Sequence, residues 1–228
     1  MDKFSLKNQV EKVLRGENSN FLNPIDANYV INNVKKKTNY TVFKLFDETE
    51  KLIVYTKDLN ITLFEIKTSS VLTHKEILGS LFSHNLSDDT FGDIVIYDNK
   101  YYIVVLNKVK EYLKTNYKTI GNKKIELIEK ELTEVNDYKL KFREYKFNVS
   151  SLRIDNILSK LIPTSRNISK QYIMDKKINL NYSILKNTNY ILKENDIFGI
   201  RGVGKFKLIS INKSSKNDKY SVSINKYM

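Results

Sequence analysis

The stretch S-L-R-I-D-N-I-L-S-K-L-I-P-T-S-R-N-I-S-K-Q-Y-I-M-D-K-K-I-N-L-N-Y, residues 151–182, decides the fold of the last third of the chain. Apolar residues recur at i, i+3, i+4 and i+7 from Ile154, which predicts a short helix that Pro163 ends. A second helical stripe follows Ser165, a residue type that often caps helix N-termini. From Ile178 onward apolar and polar residues alternate, so the pattern predicts two helices running into a strand.

Cationic side chains repeat on the face of the second helix opposite its apolar stripe. Arg166, Lys170 and Lys177 are spaced by about one helical turn, so we expect their charges to project together. Such a face suits the phosphates of double-stranded or structured RNA. Upstream, Arg153 and Asp155 have two interpretations, RNA contact or an ion pair that holds the first helix, and for Asp155 we favour the ion pair.

The positive charge of the chain is concentrated at one end. The net charge is +13. Residues 148–228 hold 15 Lys and Arg against 5 Asp and Glu, a balance of +10, whereas the remaining residues balance to +3. This asymmetry indicates a polyanionic partner that is contacted chiefly by the C-terminal region.

Composition argues against several classes of protein. The absence of cysteine excludes disulfides, thiolate catalysis and cysteine-based zinc sites. The chain has no apolar run long enough to cross a membrane, and its polar N-terminus lacks a signal-peptide core, so we expect a cytoplasmic protein without a membrane partner. The histidines, His74 and His84, fit no standard metal-ligand spacing. We therefore predict no catalytic residue, metal site or cofactor.

Helix and strand patterns together predict an α+β fold with three domains. These are an N-terminal α+β domain (residues 1–71), a second small α+β domain (residues 72–147) and an RNA-binding domain with a β-rich end (residues 148–228). In the middle domain two helices interleave with strands, which predicts a ferredoxin-like or RNA-recognition-motif-like sandwich.

Two features leave their function open. Phe91, Tyr101 and Tyr102 could stack on RNA bases, but alternating aromatic residues are more often core, and we favour core here. Gly202 and Gly204 lie between two predicted strands. They could let a backbone approach an RNA phosphate, or they could serve a hairpin bend or bulge. The sequence supports both interpretations of the glycines.

The opening stretch resembles the αL RNA-binding motif first seen in ribosomal protein S-four. The matching parts are Arg153-Ile154-Asp155, Ser165-Arg166 and residues 173–181. Lys176 stands where that family usually has glycine, so the turn needs either a lysine at positive φ or a different geometry. The RNA-binding residues that the resemblance and the charge pattern predict are Arg153, Ser165, Arg166, Lys170, Gln171, Lys177, Asn181, Arg201 and Lys205.

Three further stretches resemble the YlmH family, in that family's order along the chain. They are residues 21–24, residues 72–81 with 91–94, and residues 201–206. The resemblance implies an RNA-binding factor of bacterial translation that acts in ribosome-associated quality control. Its expected partners are large-subunit ribosomal RNA and tRNA or peptidyl-tRNA, with other quality-control or cell-division proteins as further candidates. We expect a monomer.

Two other classes of function are alternatives. S-four-like domains also position RNA-modifying enzymes, such as pseudouridine synthases and methyltransferases. Arg153-Ile154-Asp155 lacks the Thr and Gly that follow in the synthase motif, and no glycine-rich cofactor loop precedes residue 199. A scaffold linked to cell division is the third hypothesis.

Overall fold

The chain folds into two compact units. A computed structural model describes residues 1–162, 166–213 and 219–228, with residues 166 and 167 described by their backbone alone. Unit 1 comprises Met1–Lys139 and unit 2 comprises Leu140–Met228. Each unit has its own antiparallel sheet and its own buried apolar residues, which confirms the predicted α+β class.

The described residues form helices and strands in both units. The helices are α1 (Lys3–Leu14), α2 (Pro24–Val34), α3 (His74–Ser83), α4 (Lys110–Asn116), α5 (Ile154–Leu161) and α6 (Arg166–Met174). The strands of unit 1 are β1 (Thr41–Phe43), β2 (Ile53–Tyr55), β3 (Ile61–Lys67), β4 (Phe91–Tyr97), β5 (Lys100–Leu106), β6 (Thr119–Ile120), β7 (Lys123–Lys124) and β8 (Glu126–Lys130). The strands of unit 2 are β9 (Phe142–Val149), β10 (Ile178–Leu180), β11 (Ser183–Ile184), β12 (Ile197–Ile200), β13 (Gly204–Lys213) and β14 (Tyr220–Tyr227).

The main sheet of unit 1 has four antiparallel strands in the order β4-β5-β3-β8. Along the chain its elements run β3-α3-β4-β5-α4-β8, the βαββαβ order of a ferredoxin-like fold. The predicted ferredoxin-like sandwich is therefore confirmed. Strand β3 precedes the predicted domain boundary between residues 71 and 72, and it pairs with β5 and β8, which follow that boundary.

Local sequence signals explain how the elements of unit 1 begin and turn. The T-x-x-E pattern of Thr73 and Glu76 predicts a capping box, and the two residues form one at the start of α3. Pro24 occupies the first position of α2, where its missing N–H costs nothing. Between β4 and β5, Asp98 and Asn99 both adopt positive φ, 50° and 58°. These residue types tolerate that conformation, which two-residue hairpin turns require.

Both faces of the ferredoxin-like sheet carry buried apolar residues. One face packs with apolar residues of α3 and α4. On the other face Tyr102 and Val104 pack in one cluster with Phe21 from the N-terminal segment. Phe91 and Tyr102 are 2% and 1% exposed, and the hydroxyl of half-buried Tyr101 accepts a backbone hydrogen bond. The preference for a core role of these aromatic residues is confirmed.

Unit 2 has a six-stranded antiparallel sheet in the order β11-β10-β12-β13-β14-β9. Ile157 of α5 and Ile173 of α6 belong to the same buried cluster as Phe198 and Phe206, whose rings stack with centroids 5.5 Å apart. Strand β9 pairs along its length with β14. The polar sequence of residues 214–218 predicts a hairpin loop, and these residues lie outside the part of the chain that the structure describes.

Candidate nucleic-acid interface

Arg153 and Asp155 form an ion pair at the start of α5. Nε and Nη2 of Arg153 donate to the two carboxylate oxygens of Asp155 at 3.2 and 2.9 Å. Asp155 is fully buried, whereas the Arg153 side chain is 30% exposed. This pairing raises the pKa of Arg153 above its ordinary value. The favoured interpretation of Asp155 as a structural partner is confirmed, and one edge of the Arg153 guanidinium is committed to it.

The turn after α6 keeps the usual geometry, with Lys176 at positive φ. The backbone N–H of Lys177 donates to the carbonyl of Tyr172 at 2.9 Å, and that of Lys176 donates to Ile173 at 3.0 Å. This pair of bonds is a Schellman motif, which places Lys176 in the position usually taken by glycine. Its φ is +56°, so this lysine adopts the left-handed conformation at some cost in free energy.

The Schellman turn also carries a polar cluster that holds two predicted RNA-binding residues. Nε2 of Gln171 and Nζ of Lys177 donate to opposite oxygens of Asp175, at 2.8 and 2.9 Å. Lys177, and then Gln171, hold the pKa of Asp175 below its usual value. Nζ of Lys177 also lies 5.2 Å from the ring centroid of Tyr172, within cation–π range. The ammonium of Lys177 is therefore held by two groups, the Asp175 carboxylate and the Tyr172 ring.

The turn between β12 and β13 lies against this cluster. The backbone N–H of Arg201 donates to the carbonyl of Lys177 at 2.9 Å, and the Arg201 side chain is exposed. Gly202 and Gly204 have φ of +84° and +143°, values that favour glycine. A Cβ on Gly202 would meet nothing within 4 Å, so its backbone conformation explains that glycine. The turn thus places Arg201, whose side chain is exposed, beside Lys177 through their backbones.

Lys205 lies between two tyrosine rings. Its Nζ is 5.8 Å from the ring centroid of Tyr182 and 5.1 Å from that of Tyr227. In the β12–β13 register Lys205 pairs with Gly199, away from the buried side chain of Phe206. A lysine held between aromatic rings keeps its charge at a defined point on the sheet.

Asn181 joins two strands of unit 2. Its Nδ2 donates to Asp196 at 2.8 Å, and its Oδ1 accepts the backbone N–H of Ile197 at 3.0 Å. Its own backbone N–H donates to the carbonyl of Ile197, and its φ is +45°. Both ends of the amide therefore take part in the connection between β10 and β12.

The remaining predicted residues lie on or before α6. Ser165 lies outside the described residues, and Arg166 is known by its backbone as the first residue of α6. Lys170 is half-buried one turn later. The structure thus brings Lys177 and Arg201 together and places Lys170 on the adjoining helix. The sequence pattern did not identify Tyr172, Tyr182 and Tyr227 as partners of the lysines.

The histidines do not form a metal centre. The described residues contain no group of three or more His, Asp or Glu side chains that could hold a metal ion. The ring of His84 packs edge-on against Tyr112 and Tyr117, with centroids 6.2 and 5.1 Å away.

In the part of the chain that the structure describes, no helix is long and apolar enough to span a bilayer.

Comparisons with known families match both units. Residues 55–134 match the family described as "Putative RNA-binding domain in YlmH", a range that contains the whole ferredoxin-like sheet. Residues 152–198 match the S4 domain, which is the S-four RNA-binding domain and here spans α5, α6, β10 and β11. The fold and the site thus define a protein with an S4-type RNA-binding domain.

A relative and a solved structure accompany these matches. Over 150 residues the chain is 26% identical to the Bacillus subtilis "Ribosome-associated protein quality control protein P2". That match takes in 66% of this chain, and the chain spans 58% of the relative's length. The structure of "Cell division protein ylmH from Streptococcus pneumoniae" has a TM-score of 0.48 and 18% identity, and the match covers 59% of this chain and 92% of the other. The chain thus carries a domain of the YlmH RNA-binding type, followed by an S4 domain.

Proposed function

We propose that the protein is an RNA-binding translation factor that associates with the large ribosomal subunit and peptidyl-tRNA during quality control of stalled nascent chains. The observation that carries this proposal is the junction of α6, its Schellman turn and the β12–β13 turn. There the Arg201 N–H donates to the Lys177 carbonyl, so that two residues predicted to bind RNA are neighbours in adjoining segments. The name of the Bacillus subtilis relative supports the ribosomal context.

Rigid placement of the cations favours recognition of folded RNA. Phosphates on an A-form helix have fixed spacings, so cations that are already oriented lose less conformational entropy on binding. The bond from Lys177 to Asp175 and the rings around Lys205 supply this orientation. We propose that Arg166, Lys170, Lys177, Arg201 and Lys205 contact phosphates. Ser165, Gln171 and the exposed edge of Arg153 would add polar contacts, and Asn181 would hold the strands beneath them.

Charge reversal on α6 tests the proposal directly. Arg166→Glu with Lys170→Glu should abolish co-sedimentation of the protein with purified large subunits, because two phosphate attractions become repulsions. A matched control is Lys186→Glu with Lys193→Glu, which makes the same change in charge at two exposed lysines in the segment between β11 and β12. Circular dichroism should show the same fold for both variants. Equal co-sedimentation of the two variants would contradict the proposed interface.

We propose that this binding involves no chemistry on the RNA. The two matched families are RNA-binding domains, and the relative is named as a quality-control protein. Mass spectrometry of ribosomal RNA and tRNA from a deletion strain should therefore show every modification of the parent strain. A missing modification that returns with the intact gene would establish an RNA-modifying enzyme instead.

The cellular setting follows from the proposed ribosomal partner. We propose a monomer that acts in the cytoplasm without a cofactor. The division into residues 1–71, 72–147 and 148–228 remains part of this proposal. Light scattering of the purified protein tests the monomer. Cell fractionation with and without ribonuclease tests the cytoplasmic location. A ribonuclease-insensitive association with a division protein would favour the scaffold alternative.

A further inference from the structure

A polar cavity of about 270 Å³ lies in unit 1. It is formed by the end of α1, the loop that follows it, and the turn after β5. Six of its ten lining residues carry an amide or an ammonium group: Lys12, Asn18, Asn20, Asn60, Asn107 and Lys108. Its volume exceeds that of a single water molecule several times, so it can hold a small polyatomic group.

Two lysines converge on one oxygen in this cavity. Nζ of Lys12 donates to Oδ1 of Asn20 at 2.9 Å, and Nζ of Lys108 donates to the same atom at 3.2 Å. The amide of Asn20 is oriented by its other end, because Nδ2 donates to Asp89 at 2.6 Å. Asn20 is buried, with 7% exposure. A neutral oxygen thus holds two ammonium groups close together. The carboxylate of Asp89 bonds to the other end of the same Asn20 amide.

The electrostatic balance of the cavity favours an anion. Each ammonium carries three N–H donors, and the bond to Asn20 uses one of them. Desolvation lowers the pKa of Lys108, and the positive charge of Lys12 lowers it further against the opposing effect of Asp89. An oxyanion between the two lysines would relieve their repulsion and accept from their other donors.

A third lysine, Lys57, lies over Gly16, which lines the cavity. A Cβ on Gly16 would lie 2.7 Å from Cε and 3.1 Å from Nζ of Lys57, so the lysine lies over this glycine. Gly16 has a φ of +88°, which also favours glycine. The acidic residue in the lining, Glu17, is paired with Nε of Arg15 at 3.1 Å. The lining therefore holds two lysines, Lys12 and Lys108, against one acidic residue that already has a cationic partner.

We propose that this cavity binds a phosphate group of an RNA backbone. The lysines match the charge of a phosphate. The Asn18 amide is oriented toward the backbone of Asp58 and Asn60, and Oδ1 of Asn107 accepts from Thr62. Nδ2 of Asn107 and Oδ1 of Asn60 can pair with ribose hydroxyls or base edges. Lys57 and Lys108 lie within the range that matches the YlmH RNA-binding domain. The assignment to RNA rests on the proposed function, whereas binding of a phosphate group does not.

The first experiment measures phosphate binding to the full chain by amide NMR. Inorganic phosphate should shift the backbone amides of residues 16–20 and 106–108, with chloride at equal ionic strength as the control. Lys12→Gln with Lys108→Gln should weaken this binding about tenfold or more, because charge-assisted hydrogen bonds are lost. Lys7→Gln with Lys75→Gln removes the same charge at exposed positions and should leave it unchanged. Absence of phosphate-dependent shifts in the wild type would overturn the proposal.

The second experiment measures salt dependence with a fluorescent RNA hairpin. The Lys12→Gln, Lys108→Gln variant should lower the slope of log affinity against log salt by about 0.7–0.9, the value for one phosphate contact. Lys12→Arg with Lys108→Arg should keep most of that slope, which a merely structural role of the lysines would not predict. A slope equal to that of the Lys7→Gln, Lys75→Gln control would overturn the RNA assignment.

The outcomes separate this site from the proposed interface on unit 2. If the Arg166→Glu, Lys170→Glu variant keeps its RNA affinity while the cavity variant loses affinity, the cavity proposal stands and the unit 2 interface fails. If inorganic phosphate or a nucleoside monophosphate binds as tightly as the RNA hairpin, the ligand is a free phosphate compound, and the RNA assignment is overturned.

Lys57→Gln should weaken phosphate binding by about threefold without removing a bond to Asn20.

Discussion

Replacing Lys176 by glycine should stabilise unit 2. Lys176 has a φ of +56° at the position of the Schellman motif that glycine usually occupies. The left-handed conformation costs a residue with a Cβ roughly 1–2 kcal/mol. Glycine avoids that cost, but its unfolded chain has more conformational entropy, worth about 0.5–1 kcal/mol. The difference predicts a net gain of about 0.5–1 kcal/mol in the free energy of unfolding.

Scanning calorimetry of the full chain measures this gain. For a domain of this size a gain of 0.5–1 kcal/mol corresponds to a rise in Tm of roughly 2–8 °C in the transition of unit 2. Lys176→Asn should fall between the wild type and Lys176→Gly, because asparagine tolerates positive φ better than lysine. A matched control is Lys186→Gly, at an exposed lysine outside helices and strands, which should lower stability or leave it unchanged.

The same variant separates stability from binding. If the Lys176 ammonium attracts RNA, Lys176→Gly should bind an RNA hairpin more weakly although it is more stable. Equal or lower Tm for Lys176→Gly than for the Lys186→Gly control would refute the reasoning that the turn is strained. That result would mean that the Schellman bonds are replaced by another turn in solution.

Three further predictions follow from the described contacts. Asp155→Ala should lower the free energy of unfolding by about 2–4 kcal/mol in urea titrations, because it removes a buried carboxylate and leaves Arg153 without that partner; a loss below 0.5 kcal/mol would contradict the structural role. The bond from Lys123 lowers the pKa of Glu76 from 4.5 to about 2, so the stability difference between wild type and Glu76→Gln should be full above pH 4.5 and vanish as pH falls to about 2; a difference constant from pH 7 to pH 2 would disprove it. Gly204→Ala should destabilise unit 2 by about 1–3 kcal/mol, because its φ of +143° strains any residue with a Cβ. Calorimetry measures this effect, and an unchanged Tm would contradict the prediction.

Elements encoded by neighbouring residues could be predicted from the sequence. The capping box of Thr73 and Glu76 and the turn at Asp98 and Asn99 depend on contacts within a few residues, and the structure confirms them. The central position of β3 could not be predicted in this way. Its partners β5 and β8 are distant in sequence, and period-2 alternation does not specify which strands pair.

The candidate interface was predictable to a similar extent. The spacing of Lys170 and Lys177 and the glycine-rich turn beside Arg201 were visible in the sequence. The surroundings of these cations were not, because Tyr227 reaches Lys205 through the pairing of β13 with β14. The cavity between Lys12 and Lys108 depends on Asn20, which lies in a third segment, and no short sequence motif predicts this contact.

The central place of β3 has a consequence for how the chain is made. A ribosome synthesises β3 early, whereas β8, which covers one of its edges, ends at Lys130. During translation that edge therefore stays open for as long as α3, β4, β5 and α4 are being added. An open edge can pair with the wrong strand, so the nascent polypeptide passes through an aggregation-prone interval before the four-stranded sheet is complete.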